Sequence, residues 1–195
     1  MKKISLVGLL FMAILLGCKK DKTEQDIVYS EENTFENLRT SIAQNSTINN
    51  VLNSAYYFEV GSSFKSLVKG NIKTLYVRIP DTSSILIVTI WDKSTQAKLL
   101  QTTVNITNSN TERVLDITPI AIEPNKEYII SMKTNDYYLY KKSGSTLISY
   151  PFTSGNIIYT ATVSADPLTP GVMPTTAFNQ GTYFGEVHFK FQQTQ

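Results

Sequence analysis

Two hydrophobic patterns divide the chain. Residues 4–16, ISLVGLLFMAILL, form an unbroken apolar run of thirteen. From about residue 55 the apolar positions instead recur every second residue, in short bursts separated by turn-forming residues. That is the period of half-buried strands. The bursts are AYYFEV (55–60), IKTLYVRI (72–79), ILIVTIWD (85–92), KLLQTTV (98–104), RVLDIT (113–118), EYIISMK (127–133), YYLY (137–140), TLISY (146–150), NIIYTATV (156–163) and YFGEVHFKF (183–191). Stretch 85–92 is apolar on both faces, as a central strand is. Pro80-Asp81, Lys93–Gln96 and Glu123–Lys126 read as turns between them. In the last burst Tyr183, Gly185, Val187, Phe189 and Phe191 face one way, and Phe184, Glu186, His188 and Lys190 the other.

Eight to ten strands at spacings near ten residues, with no long helical pattern between them, predict an all-β domain over 55–195. The expected packing is an antiparallel β-sandwich, jelly-roll-like in architecture. Residues 164–182 hold three prolines and two glycines and read as a long loop, a length that is commonly functional or disordered. Ahead of the body, Phe35, Leu38 and Ile42 have helical spacing, with Ser30 or Thr34 as caps, so 34–54 is expected to be a short helical and loop segment. Residues 18–33 are mostly polar and charged and read as a flexible tether.

The apolar run near the N-terminus follows Lys2-Lys3 and ends at Gly17-Cys18. Thirteen helical residues rise about 20 Å, short of the ~30 Å hydrocarbon core, so the run fits a signal-peptide core better than a membrane span. Leu15-Leu16-Gly17-Cys18 resembles a bacterial lipoprotein lipobox. Leu15 takes the apolar place three before the cut, Gly17 the small place before it, and Cys18 the modified position; Leu16 is bulkier than the usual residue there. The resemblance implies that residues 1–17 are a signal peptide, that Cys18 carries a diacylglycerol and an acylated amine, and that Lys19, not being Asp, directs the protein to the outer membrane. Whether the domain faces the periplasm or the exterior stays open. Acyl chains at ~0.8 kcal/mol per buried CH₂ would hold it durably on a membrane. The alternative, a cytosolic protein with one buried thiol, leaves the Lys pair, the apolar run and Gly-Cys unexplained.

Composition sharpens this picture in two ways. Cys18 is the single cysteine, so no intramolecular disulfide can form. The formal net charge is +2, and removal of residues 1–17 takes Lys2 and Lys3, leaving a neutral chain. A neutral chain lacks the electrostatic footprint of a nucleic-acid binder. The charged fraction, 17%, is low, while the 42% hydrophobic content is ordinary for a folded domain.

The order of several stretches in the body is similar to that of bacterial β-sandwich modules grouped as domain of unknown function 4082. Phe58 to Phe64 followed by Gly70 to Leu75 looks like the family's opening strand pair around a glycine. Val88-Thr-Ile-Trp91-Asp92 and Leu99-Leu100 look like its Trp-ended strand and the Leu-Leu strand after it. Asp116-Ile-Thr-Pro119 and Asn125-Lys-Glu-Tyr128 look like its strand, proline, turn and Tyr-led strand, and Tyr183–Phe191 its closing strand. The resemblance covers roughly 55–191. It carries over no catalytic or binding residue, and it implies an extracytoplasmic interaction role.

The chemistry in reach is narrow. His188 is the single histidine, so a His/Cys zinc site is excluded once Cys18 is lipidated, and no metal or other cofactor is expected. There is no Gly-x-Ser-x-Gly elbow and no phosphate loop. His188 reads as an exposed or edge histidine, and Trp91 as a core residue. Carboxylate pairs drawn from Asp81, Asp92, Asp116, Glu127, Asp136, Asp166 and Glu186 leave a hydrolase open, although turns alone account for most of them. A loop calcium ion, more structural than functional, also stays open.

Aromatic residues are the better lead. Tyr137, Tyr138, Tyr140 and Tyr150 form a candidate ligand-binding surface on which the apolar faces of sugar rings could stack. Strand packing is the competing explanation for each. The expectation is a non-enzymatic envelope module that binds a glycan, with docking to an envelope protein through strand edges or the Pro-rich loop as the alternative.

Overall fold

The computed structural model describes residues 27–36, 39–40, 46–51, 55–142, 149–165, 171–178 and 181–194. The lipobox, most of the tether and most of the expected helix lie outside them. The strands are β1 (Glu31–Asn33), β2 (Ser46–Val51), β3 (Phe58–Ser66), β4 (Gly70–Arg78), β5 (Ser83–Asp92), β6 (Lys98–Ile106), β7 (Arg113–Ile122), β8 (Glu127–Thr134), β9 (Tyr137–Lys142), β10 (Phe152–Ser154), β11 (Ile157–Ser164), β12 (Thr176–Phe178), β13 (Thr182–Phe184) and β14 (Glu186–Gln193). They make a four-stranded sheet in the order β1-β14-β4-β7, a seven-stranded sheet β10-β11-β3-β8-β5-β6 with β12 beside β11, and a small sheet β13-β9-β2. Each strand pairing described is antiparallel. The expected antiparallel sandwich is thus the observed fold. Along the chain, consecutive strands pass from one large sheet to the other at β3–β4, β4–β5, β6–β7 and β7–β8.

Alternation explains why the two larger sheets close on each other. In the seven-stranded sheet Val60, Met132 and Val88 stand in one row across β3, β8 and β5, all pointing inward. In the four-stranded sheet the pairs Val187↔Val77 and Phe189↔Leu75 do the same. Phe64 of one sheet packs on Phe189 of the other with ring centroids 4.6 Å apart. Each such fully buried side chain contributes about 1.5–3 kcal/mol of transfer free energy, which is what holds sheets without cross-links.

Several boundaries differ from the sequence expectation. The stretch 55–60 begins late, at Phe58, and runs on through Gly61-Ser62-Ser63 to Ser66. Gly61 permits this because a Cβ there would lie 2.0 Å from the Ile130 carbonyl oxygen. Strand β7 passes through Pro119 to Ile122. A proline is tolerated there because β7 is an edge strand and its register against β4 shifts between Ile72 and Thr74. The burst 183–191 breaks at Gly185, whose φ of 81° sends β13 to the small sheet and β14 to the four-stranded one. Residues 46–51, expected as loop, form β2 against β9. The long loop is partly structured: β12 pairs with β11, and Met173 is buried against Trp91, Ile129, Ala161 and Val163.

The end of the expected tether also belongs to the body. Strand β1 pairs with β14, the Glu32 carboxylate accepts from the Asn156 backbone and side chain, and Thr34 bonds Tyr159 at 2.8 Å. Phe35 is buried in the core. Of the expected helix, the described part shows one helical bond, from the Arg39 amide to the Phe35 carbonyl at 2.8 Å.

Candidate functional site

The four tyrosines do not form an exposed stacking surface. Tyr138 and Tyr140 lie on the core-facing side of β9 and are only 4% and 3% exposed. Their rings are tilted by 47° to one another. Tyr137 and Tyr150 are half-buried and pack against the core, Tyr137 edge-on to Phe58. The Tyr150 hydroxyl shares a hydrogen bond with Thr162, and burial pushes its pKa up to about 12. The correction has a simple cause. In an exposed strand these residues would present rings to water, but β9 lies between β2 and β13, and its pleat turns Tyr138 and Tyr140 toward the hydrophobic interior.

His188 differs from its expected place in the same way. It is 3% exposed, not an edge residue. Its imidazole lies between Phe35, at 4.2 Å, and Tyr76, at 4.9 Å. Nε2 stands 3.4 Å from Glu112 Oε2, while Nδ1 has no partner among the described residues. Desolvation lowers the His188 pKa, so the neutral form is favoured. Glu112 is also 3.6 Å from Arg39. Hydrogen bonding to His188, then the Arg39 and Arg78 charges, hold its carboxyl below the usual range.

A second ion pair lies two residues along β14. Arg78 and Glu186 are directly opposite in the β4–β14 register, and the guanidinium grips the carboxylate through both Nε and Nη2. Nη2 also donates to Tyr140 Oη at 3.1 Å, and the guanidinium lies 4.5 Å over the Tyr138 ring. Tyr138 Oη donates to Asn110 Oδ1. Glu186 and His188 on the polar face of the last strand are thereby covered, and they tie the four-stranded sheet to the small sheet and to the 107–112 loop. A recess of about 70 Å³, lined by Ile106, Thr107, Asn108, Thr111, Glu112 and Arg113, adjoins this network. Glu112 belongs to both. Among the described residues, His188 has no hydroxyl or thiol partner: Nε2 is directed to Glu112 and Nδ1 has none.

Of the acids considered from sequence, Asp92 caps its own turn, accepting from Ser94 and Thr95 and pairing with Lys126 at 2.6 Å, which holds its pKa far down. Glu127 accepts from Ser63 and Thr160 at 2.8 Å and pairs with Lys93 at 2.8 Å. Asp136 accepts from the Asp81 amide and Thr134. Asp116 accepts from Thr74. Among the described residues no three His, Cys, Asp or Glu side chains converge into a metal site. Asp166 lies outside them.

The sequence reading missed Glu59. It is 1% exposed, on the outer face of the seven-stranded sheet beneath Gly171. Ser131 Oγ donates to it at 2.6 Å and in turn accepts from Trp91 Nε1 at 2.8 Å. Desolvation raises its pKa. A polar residue among AYYFEV gave no hint of this, because the segment that covers it comes a hundred residues later. Trp91 is buried as expected, though under that segment and not between the sheets. Among the described residues the aromatic side chains that meet solvent include Tyr56 and Tyr57, 56% and 44% exposed, with Lys133 Nζ 5.6 Å from the Tyr57 ring centroid, and Phe178.

Strands β6 and β7 form the remaining open feature. Each ends its sheet, β6 pairing only with β5 and β7 only with β4 among the described residues. They are consecutive in sequence and lie on the same side of the sandwich. The exposed side chains of β6 include Leu99, Gln101, Thr103 and Asn105, and those of β7 include Val114, Asp116 and Thr118.

Residues 44–185 match the family model described as a domain of unknown function (DUF4082). No curated protein matches the chain.

Proposed function

The chain belongs to the DUF4082 family, and on that footing we propose that it is a lipid-anchored module of the bacterial envelope that docks another envelope protein and catalyses no reaction. One observation carries the docking reading: a long strand, β6, presents an unpaired edge beside the equally unpaired β7. An unpaired edge offers a row of backbone donors and acceptors to an extended segment of a partner. Pro119 interrupts β7 and removes a donor from it, so β6 is the better docking edge. Its exposed row mixes Leu99 with Gln101, Thr103 and Asn105, which suits an uncharged, mixed-polarity peptide strand. The ionisable groups of the network around His188 are engaged with one another, which supports a binding role over a catalytic one.

The anchor is part of this proposal and stands on Leu15-Leu16-Gly17-Cys18 together with the apolar run before it. Lys19 points to the outer membrane as its destination. The experiment places a photoreactive residue at Thr103 on β6 and, as control, at Thr153 on the far edge strand β10, in cells that make the full chain. A discrete adduct from Thr103 and none from Thr153 supports edge docking; no adduct in intact envelopes overturns it.

A glycan ligand is the second reading, favoured now by Tyr56 and Tyr57 in place of the buried tyrosines. Adjacent exposed rings with a lysine alongside supply both a stacking surface and a hydrogen-bond donor. Retardation in gels containing envelope polysaccharide, lost in Tyr57→Ala, is the expected result for that reading.

A further inference from the structure

We infer that the end of the sandwich where the chain enters from Cys18 is a membrane-contact surface that rests on anionic lipid. This deepens the lipid-anchor reading and depends on it. Strand directions divide the turns into two ends. At one lie the 66–70, 93–97 and 123–126 turns, Asn156, and the entering residues 27–30. At the other lie Ile79–Thr82, the 107–112 loop and Asn135-Asp136.

The contacts that tie the entry segment to the first end are specific. Gln192 Nε2 donates to the Tyr29 carbonyl at 2.6 Å, and the Asn156 amide donates to Glu32 at 2.8 Å while its carbonyl accepts from the Leu67 amide at 2.8 Å. The Asn125 amide donates to the Ser66 carbonyl at 2.8 Å, adding the β7–β8 turn to the same end.

This end carries exposed apolar side chains. Ile27 is 73% exposed, Val28 84% and Leu67 47%. Lys69 is exposed in the turn that holds Leu67, Lys65 is half-exposed at the end of β3 just before it, and neither is in a described ion pair. The other lysines there, Lys93 and Lys126, are paired to Glu127 and Asp92. The exposed carboxylates there are Glu123 and Glu31, and Glu31 is 3.5 Å from Lys190. Apolar tips flanked by unpaired cations are the chemistry of a side that sits at a headgroup boundary.

Chain length makes lipid the occupant. Ile27 lies nine residues beyond Cys18, and nine residues reach at most about 30 Å fully extended. An acylated Cys18 therefore keeps this end, and not the far one, within reach of the bilayer. A protein partner would be free to choose any face; the anchor confines the lipid to this one.

The test uses the full lipidated chain in vesicles of phosphatidylglycerol and phosphatidylcholine carrying a nitroxide-labelled lipid. Because the Cys18 sulfur is a thioether once acylated, a thiol-reactive fluorophore reads a single new cysteine, placed at Leu67→Cys or, at the far end, Ser109→Cys. The expected result is loss of fluorescence at position 67 and none at 109, with the loss at 67 reversed in Lys65→Glu/Lys69→Glu and in vesicles of phosphatidylcholine alone. Equal quenching at the two positions, with an acyl mass present on Cys18, overturns this inference and leaves the anchor standing. An unmodified Cys18 overturns the anchor itself.

Discussion

His188 and Tyr76 are cross-strand partners whose rings stack in parallel, with centroids 4.9 Å apart and planes inclined by 2°. Phe35 closes the other face of the imidazole. The entry segment thus ends in a phenyl ring laid over the single histidine of the chain, on a strand whose outward side reads as polar. The groups facing His188 are Glu112 at Nε2, with Glu186 and Arg39 further off. This stack joins the segment that leads from Cys18 to the last strand of the fold.

The stack makes stability depend on pH. Burial depresses the folded pKa of His188 below 6.5, so the unfolded chain takes up the proton first as pH falls. Stability is then full above about pH 6.5 and declines as pH drops from there toward the folded value. Glu112, whose folded pKa is depressed, contributes only above its own lower range and loses its contribution at more acid pH. The urea midpoint of the wild type should fall between pH 7.5 and 5.5. In His188→Phe that fall should be smaller; an unchanged fall would remove His188 as its cause.

Glu59 has the opposite sign. Its folded pKa is raised by desolvation, so the folded state holds its proton more tightly, and stability is lost as pH rises through the folded value. Glu59→Gln keeps an acceptor for Ser131 and removes the buried charge. Thermal unfolding should show it more stable than wild type at pH 7, with the gain shrinking toward pH 4. A loss of stability at pH 7 would mean that the carboxylate, as an anion, is a net support of the site.

The Arg78–Glu186 pair lies within the four-stranded sheet and reaches the small sheet through Tyr140 and Tyr138. Glu186 is 2% exposed at its side chain. Glu186→Ala leaves the guanidinium partly buried against Tyr138 and Tyr140 and should cost ~3 kcal/mol in chemical denaturation. The double variant Arg78→Met/Glu186→Leu should recover most of it, because well-packed apolar side chains replace a desolvated pair with little net loss. Failure of the double variant to recover would show that the pair also orders the 107–112 loop through Asn110.

Tyr138 and Tyr140 separate packing from binding. Tyr138→Phe keeps the ring and removes the bond to Asn110, so its expected cost is ~1 kcal/mol. Tyr138→Ala removes a buried ring and should cost ~3–5 kcal/mol. Binding to envelope polysaccharide should be unchanged in Tyr138→Phe and Tyr140→Phe if these side chains are structural, as their burial implies. Loss of binding with unaltered stability would restore them as ligand contacts.

Most of the strand pattern was legible because a half-buried strand writes its burial into every second residue. The strands β4, β5, β6 and β8 begin and end within a few residues of the alternating bursts that announce them. Where the reading slipped, a distant element had overridden the local pattern. The burst that ends at Val60 continues as strand through Gly61 because the glycine lets β3 approach β8 closely. Residues 46–51 looked like loop and became β2 because β9 was there to pair with. His188 and Glu186 looked solvated because their neighbours in sequence are polar, and they are buried because the Phe35 segment, Arg78 and the 107–112 loop fold over them.

What the sequence determined by itself is everything that depends on local order. That includes the all-β body and the family resemblance across it. What only the tertiary structure decided is which polar and aromatic groups meet water. Alternation divides a strand into two faces but does not say whether the second face is covered, since the covering segment comes from elsewhere in the chain. Tyr137, Tyr138, Tyr140 and Tyr150 therefore read as a surface and fold as packing, while Tyr56, Tyr57, Leu67 and the β6 edge were left open by long-range pairing that no local pattern records.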